Sequence, residues 1–98
     1  MKRNFNQELT TFSGEKMKSV DGSTATAKSV IIDALLADDR QLSGTDKMKH
    51  FALAEKIHKS DDSVELSTED LTIIKGAVGK IFAPMVVGQV YRIIEEIE

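Results

Sequence analysis

From Thr68 to the C-terminus, apolar residues fall at helical intervals. Leu71, Ile74, Val78, Ile81 and Met85 recur at steps of three and four, and after Pro84 the series Val87, Val90, Ile94 and Ile97 does the same. This spacing predicts two amphipathic helices that form most of the core. Pro84 lacks a backbone donor and disfavours helical geometry at Ala83. Either the helix stops near Phe82 and Pro84 opens a fourth helix, or one long helix kinks there; the break is the preferred reading.

Upstream the period changes. Residues 5–12 and 17–20 are short runs rich in Thr, Phe and Val with turn residues Ser13 and Gly14 between them, the pattern of a β-hairpin over 5–20. Asp21, Gly22 and Ser23 close that unit, and a hydroxyl of Ser23 or Thr24 is positioned to cap a first helix running to about Ala37. On that helix Ala27, Val30, Ile31, Ala34 and Leu35 share a face. Ser43 or Thr45 caps a second helix whose broad apolar side carries Met48, Phe51, Ala52, Leu53, Ala54 and Ile57. Residues 64–66 form an extended link, and residues 67–70 give the next start signal, with the third helix from about Thr68. Gly76 and Gly79, within that helix, are read as a close helix crossing. The pattern shows no internal repeat and no linker.

Composition narrows the class. The chain has 98 residues, 41% of them hydrophobic and 30% charged, which fits one small globular domain over residues 1–98. Without cysteine there is no disulfide scaffold, thiolate zinc site or thiol catalysis. The net charge of −3 is graded: five bases against three acids in residues 1–30, three against eight in residues 61–98. An acidic domain is a poor candidate for non-specific nucleic-acid binding. The N-terminus lacks a signal-peptide apolar run, and no stretch approaches the ~20 apolar residues of a membrane span, so a cytoplasmic location is expected.

Candidate chemistry is sparse. The acidic segment before the third helix invites an EF-hand comparison, but placing Asp70 as the last of twelve loop positions puts Lys59 first and Val64 where glycine is required. His50 and His58 lie about 12 Å apart along a helix, too far to share one metal ion. Gly76, Gly79 and Gly88 sit within helical periodicity rather than in a phosphate loop. Lys2, Arg3, Lys16 and Lys18 read as solubilising charges on strand edges. No catalytic residue, metal or cofactor is expected. The C-terminal helix is wider in its apolar face than one core needs. Val87, Val90, Tyr91, Ile94 and Ile97 are therefore the candidate protein-interface residues.

The string from Ser43 to Lys49, the Lys56-Ile57-His58 ending, Val64 to Ser67, and the blocks Val78 to Ile81 and Pro84 to Gln89 resemble small proteins of tailed bacteriophages and prophages. The resemblance spans about residues 30–94 and implies a viral or prophage origin, hence a host-cell cytoplasm, but no activity. The expectation is a mainly helical α+β domain, an N-terminal β-hairpin at 5–20 followed by three to four helices within 24–98. The expected function is that of a non-enzymatic accessory protein that binds itself, as a homo-oligomer, or another phage or host protein through its C-terminal helix, without a membrane. Rival expectations are a small nucleic-acid-binding regulator, a structural oligomer with no separate ligand, and a small hydrolase using His50 or His58 with Asp61 or Asp62.

Overall fold

The computed structural model describes residues 1–19, 22–37, 41–61 and 63–95, and within them the chain forms four helices and a two-stranded sheet. The elements are β1 (Lys2–Arg3), α1 (Ala27–Leu36), α2 (Gly44–Lys59), β2 (Val64–Glu65), α3 (Thr68–Ile81) and α4 (Pro84–Glu95). The sheet corrects the sequence expectation of strands placed ahead of all the helices. β1 pairs antiparallel with β2, Lys2 opposite Glu65 and Arg3 opposite Val64, so the N-terminus is tied to the link between α2 and α3. That link is extended because Val64 and Leu66 turn inward while Glu65 between them faces solvent, which leaves a backbone edge for β1.

The predicted hairpin is part of a larger unit with an eight-residue repeat. Thr10 bridges Lys16, Lys18 bridges Thr24, and Glu8 bridges Thr26, each antiparallel. Leu9 N–H donates to Ala25 (2.9 Å), Ala25 to Met17 (2.8 Å) and Met17 to Leu9 (2.9 Å), so each of three short segments pairs with both others. Two turns of one type join them. Thr11 N–H reaches the Glu15 carbonyl and Gly14 N–H the Thr11 carbonyl; eight residues on, Ser19 and Gly22 repeat both bonds with Ser23 and Ser19. Gly14 and Gly22 have φ of 90° and 88°, the left-handed conformation that closes such a turn and that other residues adopt only with strain. Thr26 belongs to this unit and also caps α1, its side chain accepting from Ser29 N–H at 3.1 Å, so neither Ser23 nor Thr24 is the cap.

The other helix starts follow the sequence. Ser43 accepts from Asp46 N–H, and Ser67 and Asp70 cap each other reciprocally at 3.1 and 3.0 Å. α3 stops at Ile81, and Pro84 opens α4 with the Ala83 carbonyl accepting from Val86 and Val87, the break rather than the kink. α1 is the hub, packing on α2, α3 and α4, in place of the α3–α4 pair expected to hold most of the core. Leu9, Ile31, Ile57, Leu66, Ile74, Val78, Val90 and Ile94 are fully buried there, and among the described residues no polar side chain is buried. Two bonds tie helix ends to distant segments: Lys28 Nζ donates to the Ser60 carbonyl beyond α2, and Arg3 Nε to the Ile94 carbonyl in the last turn of α4.

The glycines of α3 and α4 differ. A Cβ on Gly79 would lie 2.7 Å from the Tyr91 hydroxyl, a close approach of α4 to α3, whereas Gly76 and Gly88 face open space. The expected crossing therefore involves Gly79 alone.

Candidate functional site

α4 divides its side chains among three directions. Val86, Val90 and Ile94 recur every four residues and point into the core, with Val90 0% and Ile94 1% exposed. Val87 and Tyr91 are half-buried against the core, and Tyr91 lies on the flank toward α3. The Tyr91 hydroxyl donates to the Lys75 carbonyl at 2.6 Å, Lys75 Nζ lies 5.1 Å from the ring centroid, and the same ammonium pairs with Glu95. Of the five expected interface residues, two thus lie in the core of the single chain and two are half-buried against it, Tyr91 at the α3 contact. Ile97 lies outside the described residues.

The third direction of α4 is outward, toward the turn at residues 11–15. Gln89 fixes this arrangement. Its Oε1 accepts from Thr10 N–H at 2.9 Å, and its Nε2 donates to the carbonyls of Thr10 (2.8 Å) and Met85 (2.9 Å), so one amide holds the edge of the turn unit against the helix. Between them runs a groove of about 630 Å³ walled by Phe12, Pro84, Met85, Gly88 and Arg92. Phe12 stands at the turn tip, 96% exposed. An aromatic ring so placed contributes nothing to the core and leaves its apolar surface in water. Arg92 is exposed and makes no hydrogen bond or ion pair among the described residues, so the groove offers an apolar floor with one available cation.

The other candidates are placed as follows. His50 is half-buried and His58 exposed on α2, and no group of three His, Cys, Asp or Glu among the described residues is arranged to hold a metal ion. Asp61 is exposed, with its carbonyl accepting from the Asn6 side chain, and Asp62 lies outside the described residues. Asp70 serves the α3 cap and pairs with Lys56 at 3.9 Å, while Glu69 pairs with Lys49 at 3.6 Å. The segment between α2 and α3 carries β2 instead of a tight helix-turn-helix corner. Lys16 pairs with Glu8 at 3.4 Å. Glu65 accepts from the Met1 ammonium at 2.7 Å, which holds its carboxyl below the ordinary value of 4.5. No helix among the described residues is long and apolar enough to cross a membrane.

Sequence reasoning missed Phe12 by assigning it to a strand. The signal was present: Gly14 and Gly22 lie eight residues apart, each followed by a polar run that returns to Met17 or Ala25, and that register puts Phe12 at a turn tip. α2 departs from expectation in the opposite sense. Met48, Phe51 and Ala52, read as part of its buried side, are exposed, because its inward face consists of Leu53, Ala54 and Ile57 with His50 at the margin. No protein-family model, no curated protein and no solved structure matches this chain.

Proposed function

We propose that this chain is a non-enzymatic protein-binding module that engages its partner through the outer flank of α4 and the adjoining turn tip. The observation that carries the reading is Phe12: a nearly fully exposed aromatic beside a groove whose walls are Pro84, Met85, Gly88 and Arg92. Phe, Met and Arg side chains are enriched at the cores of protein interfaces relative to the rest of the surface. The role expected of the C-terminal helix is kept, but it passes from the buried Val90 and Ile94 to the outward residues. The partner that fits presents an apolar side chain to Phe12 and Met85 and a carboxylate to Arg92. An accessory role in a phage or prophage is supported by the resemblance of residues 43–49, 56–58, 64–67, 78–81 and 84–89 alone.

The test is a photo-crosslinking amino acid at position 12 in the chain expressed from its native genomic context, with position 59 as an exposed control. A discrete adduct from position 12, absent at position 59 and lost on Arg92→Glu, is the expected result. Equal, diffuse labelling from both positions would refute the reading.

A further inference from the structure

Gly88 is a glycine that neither its own backbone nor its neighbours in the chain require. It lies in the interior of α4, and the glycines with positive φ are Gly14 and Gly22, so no special torsion calls for it. A helix interior favours alanine over glycine. Nothing in the chain uses the space gained, since no atom lies within 4 Å of a Cβ built there. Gly79 shows what such a space is for: the end of Tyr91 lies where the side chain would be, and α4 approaches α3 through it. Gly76 is as open as Gly88 but does not line the groove between α4 and the turn tip. Gly88 does line it, with Phe12 and Met85 as apolar neighbours and Arg92 one helical turn on.

We infer that Gly88 determines which partners the groove accepts: an apolar side chain of the bound protein seats on the α4 backbone at Gly88 while a carboxylate of the same protein meets Arg92. The inference rests on the groove reading above and narrows it. Gly88 and Arg92 are four residues apart, on one side of the helix and about 6 Å apart along its axis. A partner matches that step with an apolar residue and an acid at i and i+2 of an extended segment, or at i and i+4 of a helix. Any side chain at position 88 would occupy the seat and hold the partner's apolar group away from the helix.

Photo-crosslinking from position 12 of the full chain in its native genomic context tests it, repeated in variants at Gly88 whose thermal melts confirm that they are folded. Gly88→Ala is expected to lower the yield of the discrete adduct by about threefold and Gly88→Leu by more than about tenfold. Alanine and leucine are both strong helix formers, so an effect of helix stiffness would be equal in the two, and only bulk in the seat separates them. Gly88→Gln, of similar size, serves if the leucine variant misfolds. Gly76→Ala should leave the adduct unchanged. A Gly88→Leu chain that labels as the parent does overturns the inference and leaves the groove reading standing, and so do equal losses in the alanine and leucine variants. A parent chain that labels no differently from position 12 than from position 59 fails the groove reading itself, and this inference with it.

Discussion

Alanine substitution at the two α3 glycines should have opposite consequences, and the difference can be worked from one distance. In a helix interior glycine is about 1 kcal/mol less favourable than alanine. At Gly76 nothing lies within 4 Å of the added Cβ, so Gly76→Ala should gain that amount and raise Tm by about 4–8 °C for a domain of this size. At Gly79 the same gain meets the Tyr91 hydroxyl at 2.7 Å, closer than any carbon tolerates. The hydroxyl must move, and moving it breaks the bond to the Lys75 carbonyl, a loss of about 0.5–1.5 kcal/mol. It also draws the ring from beneath Lys75, about 0.5–1 kcal/mol more. The two losses equal or exceed the gain, so Gly79→Ala should leave Tm unchanged or lower it. In a Tyr91→Phe background the nearest remaining atom is ring carbon Cζ at 3.9 Å, ordinary contact, and Gly79→Ala should then stabilise as Gly76→Ala does. Thermal and urea unfolding of the four members of this cycle give a coupling of about 1–2.5 kcal/mol if the reasoning holds. A Gly79→Ala chain as stabilised as Gly76→Ala in the parent background would refute it.

Val90→Asp should unfold the chain, because a carboxylate would be buried with no partner at a site that is 0% exposed, a cost of several kcal/mol; circular dichroism retaining native helix content would contradict this. Phe12→Ser should change stability by no more than about 0.5 kcal/mol, since the ring makes almost no internal contact, while weakening partner binding by about 30-fold; an unfolded variant would show that the ring is structural. Glu65→Gln should melt below the parent at pH 7, with the difference shrinking as the pH falls below the ordinary carboxylate range: the hydrogen bond from the Met1 ammonium depresses the Glu65 carboxyl, so its contribution is present above that range and vanishes as the folded-state carboxyl is protonated. A Tm difference between the two that stays constant from pH 7 to 3 would count against that ion pair.

Helix positions were legible because they depend on neighbours in sequence. The Ser43 and Ser67 caps, the start at Thr68 and the break at Pro84 all follow from side chains within four residues of the backbone groups they satisfy. What was not legible depends on partners far along the chain. The pairing of β1 with β2 joins residues more than sixty positions apart, and no local pattern in Lys2 or Arg3 announces it. The three-segment unit at residues 8–26 lay between these cases. Its turns carry regular glycines, but each segment makes isolated bridges, too short for alternation to stand out.

The width of an apolar stripe did not decide what remained exposed; which of its faces a neighbour covers did. α4 has the wide face that suggested surplus, yet α1, α3 and the residue 8–26 unit surround it, taking up Val90 and Ile94, Tyr91, and Gln89 respectively. α2 is the more polar helix, its principal helical neighbour is α1, and Lys49 and Lys56 reach α3 through Glu69 and Asp70. Phe51 and Met48 consequently have no inward direction left to take.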